Sequence, residues 1–180
     1  AVTPDHPVFL NRLDGHMSLA NSAAMKAAGI TAATKEVEGG TIVRDQKGQP
    51  TGVFKDNAAS LIYAIMPPVS EPMRDRALAM AMDFVAAKGV TSVHHMGSWE
   101  ELATFRKAQK NKTLKTRIYA NVPLSTWASL EKEVAKNGRG DDWVKIGGLK
   151  GFVDGSLGSH TAAMMEPFID SHHDKGLFVT

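Results

Sequence analysis

From residue 71 onward the chain alternates segments of helical period with apolar strand-like runs, three of each. That alternation restricts the region to parallel βαβ units. The first helix is the best defined. Ser70 stands at its cap position, Ala77, Leu78, Ala81, Phe84 and Val85 make one apolar stripe, and Gly89 closes it. The strand Val90–His94 follows. Ser98 and Glu101 then make a capping box for a helix reaching about Gln109. Arg117–Val122 is the second strand, Ser125 caps a helix ending at Asn137-Gly138, and Val144–Asp154 is the third strand.

The first 70 residues do not follow this rhythm. Residues 5–12 read as a short strand, followed by a helix that starts at Ser18 or Asn21 and stops at Gly29. Residues 38–55 read as a hairpin around Asp45–Gly48, and a helix from Asn57 to Met66 is stopped by Pro67-Pro68. The expected organisation is therefore α/β, with an inserted hairpin-and-helix segment over 1–70 and a partial (β/α) barrel of three to four strands over 71–180. A complete (β/α)8 barrel takes about 250 residues. The chain has 180, opens without methionine and ends in the strand-like Gly176–Thr180, so it is expected to be a piece of a larger enzyme. The open edges of an incomplete parallel sheet predict self-association.

Charge and composition exclude several classes. The net charge is +2 and no basic block carries interleaved aromatics, which argues against a nucleic-acid partner. No apolar run has the length of a membrane span and no leader is visible, so the expected compartment is cytoplasmic with no membrane partner. The absence of cysteine removes disulfides and thiolate–zinc sites. Nine methionines fall mostly at helical spacing and read as core filler.

The third strand carries the residue of greatest chemical interest, Lys150, within Lys145-Ile-Gly-Gly-Leu-Lys150-Gly-Phe-Val-Asp154. A period of two places Lys150, Phe152 and Asp154 on one face. A lysine on a buried strand is either paired or chemically used, or it lays its stem along the sheet and reaches water with its head. A neutral buried amine can also capture carbon dioxide as an anionic carbamate that bridges two cations. Two rival motifs fail. Gly155-Ser-Leu-Gly158-Ser lacks a phosphate-loop pattern, and Ser156 or Ser159 beside His160 lacks a nucleophile elbow.

Four stretches, taken in order, resemble the YtcJ-like amidohydrolases, a family that includes N-substituted formamide deformylase. They are Pro7–His16 through Asn21-Ser-Ala-Ala, Gly39–Gly52, Gly89–Gly97 and Lys150–Ala162. The resemblance implies a metal-dependent TIM-barrel hydrolase acting on a small amide-type substrate through a metal-activated water. It implies Lys150 as the carboxylated lysine ligand of one or two divalent ions, expected to be zinc, with Asp154 orienting it. The remaining ligands expected of the family, an H-x-H pair among them, do not occur here, so the site is expected to be incomplete and the isolated chain inactive. His16, in Arg12-Leu-Asp14-Gly-His16, is a candidate substrate contact or a turn histidine. His95 stands where relatives carry aspartate, and His160 where many carry arginine. Both are candidates for substrate binding, His95 alternatively as a structural strand-end residue. Two other functions stay open: a scaffold domain with a decayed site, and a barrel enzyme using Lys150 as a Schiff-base amine.

Overall fold

The computed structural model describes residues 3–179, which fall into two compact units. One comprises Ala1–Pro67 with Phe152–Thr180, the other Pro68–Gly151. The expected 71–180 segment thus runs through both units. Among the described residues no helix is long and apolar enough to cross a membrane.

The Pro68–Gly151 unit is the alternating region. Its elements are α3 (Glu71–Ala87), β5 (Ser92–Met96), α4 (Trp99–Lys110), β6 (Arg117–Pro123), α5 (Trp127–Asn137) and β7 (Val144–Lys150), numbered along the whole chain. The strands form one parallel sheet in the order β5-β6-β7. Ile118, Ala120 and Val122 of β6 and Val144 and Ile146 of β7 are buried on one face, packed with Met82, Leu102 and Phe105 from the helices. Each of these side chains larger than alanine contributes roughly 1.5–3 kcal/mol of burial.

Two details differ from expectation. The apolar stripe of α3 is only partly used: Met82 is buried, Leu78 packs at the edge of the core, and Phe84 is 67 % exposed. A sheet of three strands is too narrow to cover the whole stripe. The third strand also stops at Lys150 rather than Asp154. Phe152 and Asp154 therefore do not continue its alternation.

The other unit is built on an antiparallel sheet in the order β1-β2-β4-β3. Its strands are β1 (Phe9–Asn11), β2 (Met17–Ala20), β3 (Gly40–Arg44) and β4 (Pro50–Asp56), joined by short helices α1 (Ser22–Ala27) and α2 (Ser60–Tyr63). The hairpin β3–β4 spans 40–56, against the expected 38–55. Of the two helix starts, Asn21 is the one used, because its side chain accepts the Ala24 N–H and also ties Val8 and His6. Ser18 instead lies in β2. The core holds Ile42, Phe54, Ala58 and Ile62 with Ala20, Ala24 and Ile30. Residues 152–179 carry neither helix nor strand, only an isolated bridge between Asp154 and Phe178.

Candidate functional site

A single extra residue in β7 decides where Lys150 points. Ala120 pairs with Ile146, but Asn121 pairs with Gly148, so Gly147 is bulged out of the ladder. Without the bulge Lys150 would share the parity of Val144 and Ile146 and face the helices. With it Lys150 lies opposite Pro123, on the face carrying Asn121, Tyr119 and His94. The bulge requires glycine, since a Cβ at Gly147 would overlap the Tyr119 ring. Tyr119 donates its hydroxyl to the Gly147 carbonyl at 3.3 Å and stacks on His94, centroid to centroid 4.9 Å. Lys150 itself is half-buried at the C-terminal end of its strand, the end at which parallel α/β sheets place their chemistry.

His95 is turned the other way. It shares the helix-side parity of Val93, meets Phe105 edge-on at 4.8 Å, and its Nε2 lies 3.2 Å from Glu101 Oε2. It lines an apolar cavity of about 270 Å³ beside Ala77, Ala81, Val85 and Phe105. His95, expected as a substrate contact or a structural strand-end residue, thus lies on the helix side of the sheet. Neighbouring strand residues face opposite sides, and His94 is the one on the Lys150 face.

In the unit containing 152–179, long-range polar ties surround the Arg12–His16 turn. Arg12 donates to the Gly158 carbonyl and to Ser159 Oγ. Asp14 Oδ2 accepts from the hydroxyls of Ser156 and Ser159, both at 2.8 Å, and Oδ1 accepts the His16 N–H at 3.1 Å. Partial desolvation pushes the Asp14 carboxyl up. The His16 N–H, the hydroxyls of Ser159 and Ser156 and the Arg12 charge outweigh it and hold the group at about 2. The turn therefore clamps the loop that follows Lys150 in sequence. Gly155 lies in that loop where a Cβ would overlap Thr161.

Asp154 is part of the same loop. Its Oδ2 accepts the Ala163 N–H at 2.9 Å, so it closes a loop rather than continuing the lysine strand. His160 has a left-handed backbone, φ 53°. Its ring stacks on Phe168 at 4.4 Å, and its Nε2 is 3.2 Å from Asp170. It borders a cavity of about 360 Å³ with Lys55, His173 and Asp174.

Sequence reading missed Asp56. Its Oδ1 lies 2.6 Å from His16 Nδ1, the carboxylate is 4 % exposed, and Oδ2 is buried without a hydrogen bond. The residue has φ 45°. Strain of that kind and an orphaned oxygen each cost roughly 1–3 kcal/mol. No local signal marks the pairing, because the partners are 40 residues apart and Asp56 directly precedes a helical turn, where it reads as an ordinary cap.

Among the described residues no group of three or more His, Asp or Glu is arranged to hold a metal ion. Lys150 alone does not make such a site, so the donor set among the described residues does not fit a complete metal centre.

Comparison with known proteins gives the chain its place. Residues 1–177 match the amidohydrolase family. The chain is 36 % identical over 190 residues to Protein LONG AFTER FAR-RED 3 of Arabidopsis thaliana, covering 99 % of this chain and 33 % of that protein. It is 35 % identical over 185 residues to putative amidohydrolase YtcJ of Bacillus subtilis, covering 98 % and 34 %. A stretch of 63 residues, 35 % of the chain and 12 % of the relative, is 44 % identical to N-substituted formamide deformylase of Arthrobacter pascens. The crystal structure of an uncharacterized metal-dependent hydrolase from Pyrococcus horikoshii superposes with a TM-score of 0.66 at 22 % identity, covering 98 % of this chain and 35 % of that one. The chain spans about a third of the length of the first two curated relatives. With one family matched over residues 1–177, Lys150–Ala162 and Arg12–His16 among them, this chain belongs to the amidohydrolase family.

Proposed function

We propose that this chain is part of a metal-dependent (β/α)-barrel hydrolase that cleaves amide-type C–N bonds, with Lys150 among the residues of its active centre. The observation that carries this reading is the Gly147 bulge, which turns Lys150 to the sheet face away from the apolar core and leaves it at the C-terminal strand end. The names of two relatives add support, one an amidohydrolase and one a deformylase of N-substituted formamides. So does the name of a structural neighbour, a metal-dependent hydrolase.

Within this reading the chain's own residues have separate tasks. Lys150 supplies an amine, or its carbamate, that would help hold a divalent cation, zinc being the ion the resemblance suggests. Arg12 and Asp14 fix the loop 155–160. His160 and His16 remain candidate substrate contacts, whereas Asp154 holds its loop in shape. The donor set among the described residues is incomplete, so the isolated chain is proposed to be inactive.

The test is hydrolysis of N-substituted formamides and related amides by the protein expressed at the natural length of its gene. Amine release should be measurable, and Lys150→Ala should lower kcat/KM by about 10²–10³-fold, the scale on which loss of an essential electrostatic group is felt. Turnover that Lys150→Ala leaves intact would remove Lys150 from the site. The absence of turnover across the amide panel would remove the reaction class.

A further inference from the structure

The His16–Asp56 pair has the construction of a recognition site rather than of a turn. Asp56 sits where an acidic residue normally caps a helical turn, yet its side chain makes no cap hydrogen bond. It is directed instead at His16 Nδ1, 2.6 Å away, while holding a left-handed backbone and one buried oxygen without a partner. An arrangement that gives up a cap, backbone comfort and a hydrogen bond points to a purpose outside folding. His16 is also held at its main chain and at its ring. Its backbone N–H donates to Asp14, its carbonyl accepts the Asp56 N–H at 3.2 Å, and Phe152 meets the ring edge-on at 5.7 Å.

We propose that Asp56 fixes His16 in the tautomer protonated at Nδ1, so that Nε2 serves as a hydrogen-bond acceptor for an N–H group of the ligand. Under the proposed function, on which the choice of ligand rests, that group is the N–H of an amide-type substrate. A carboxylate accepts only, so the ring nitrogen facing it must carry the proton, and a neutral ring then presents its lone pair at the other nitrogen. None of the hydrogen bonds among the described residues uses Nε2. His16 is the contacting group and Asp56 the positioning residue.

Two readouts test the pair. The first is the tautomer, read from long-range ¹⁵N–¹H correlations of the histidine ring in the purified protein. His16 should be protonated at Nδ1, and Asp56→Asn, whose amide donates where the carboxylate accepted, should move the proton to Nε2. A wild-type ring protonated at Nε2 overturns the proposal whatever the enzyme turns over. The second is kinetic. Asp56→Asn and His16→Ala should each lower kcat/KM for the amide turned over by at least about tenfold, chiefly through KM, as expected when a site loses a hydrogen bond it was built to make. Values within about twofold of wild type in both variants overturn the proposal. Should Asp56→Asn fail to fold, His16→Gln carries the kinetic arm. If no amide is turned over, the proposed function fails but this pair is still tested by titrating N-methylformamide. A shift of the His16 Nε2 resonance supports the pair, and none at saturation overturns it.

Discussion

The parallel unit and the antiparallel unit are held together by different physics, and the contrast explains which residues are free to do chemistry. In the parallel unit the sheet buries Ile118, Ala120, Val122, Val144 and Ile146 against helices, and its other face carries His94, Tyr119 and Asn121. Its order is written in periodicity, and one bulge at Gly147 suffices to redirect a single lysine. In the antiparallel unit an apolar core around Phe54 supports a second layer made of hydrogen bonds that span up to 147 positions of sequence, from Arg12 to Ser159. Apolar packing is tolerant of residue identity, whereas a polar network fails when one member loses its partner.

The contrast breaks first at the cores. Phe54 is fully buried, and Phe54→Ala should cost about 3–5 kcal/mol. Ile146→Ala should cost about 2–5 kcal/mol. Denaturant titration followed by tryptophan fluorescence, with all three tryptophans lying in the parallel unit, separates the two. If each unit holds itself by its own core, Ile146→Ala lowers the fluorescence midpoint more than Phe54→Ala does. Equal midpoint losses would mean that the units unfold as one.

The polar layer gives a smaller, pH-dependent effect. The Asp14 carboxyl lies at about 2 in the folded protein against an ordinary 3.8, so folding favours its charged form. Its contribution is complete above the unfolded value and is lost as pH falls from about 4 towards about 2. Asp14→Asn should cost about 1–2 kcal/mol near neutrality, less than a fully buried charged hydrogen bond because the side chain is 26 % exposed. The melting-temperature gap between wild type and variant should close as pH is lowered through that window. A gap that stays constant would show that shape, not charge, is what Asp14 supplies.

What sequence could reveal follows the same division. The helix–strand alternation, the Asn21 and Ser98 caps and the hairpin were readable, because each depends on residues within a few positions of one another. The bulge was written in the adjacent Gly147-Gly148, but strict alternation through Asp154 passed over it. The assumption of a continuous strand grouped Lys150 with Phe152 and Asp154, which lie beyond the end of β7. Asp56 was not readable at all. Its role depends on a β2–β4 register that brings residues 17 and 55 together, which no local pattern announces. His95 and His94 could be told apart only once Val93 was seen to face the core.

The smallest expected effect sharpens the contrast within the parallel unit itself. Ser98 and Ser70 both stand at helix N-caps, and sequence alone gives them the same role. Ser98 Oγ accepts the Glu101 N–H at 3.2 Å while Glu101 Oε2 accepts the Ser98 N–H at 2.8 Å, a complete capping box. Ser70 makes no side-chain cap bond. Ser98→Ala should therefore cost about 1 kcal/mol and Ser70→Ala no more than about 0.5 kcal/mol. Glu101 also faces His95 Nε2 at 3.2 Å, so the box ties α4 to the strand end of β5. Glu101→Gln keeps an acceptor for the Ser98 N–H but removes the charge beside His95. If the tie is a cap, Glu101→Gln should be milder than Ser98→Ala in thermal melts near neutrality. If Glu101→Gln proves the more damaging, the histidine is the partner that matters, and this strand end is held by charge as the antiparallel unit's turn is.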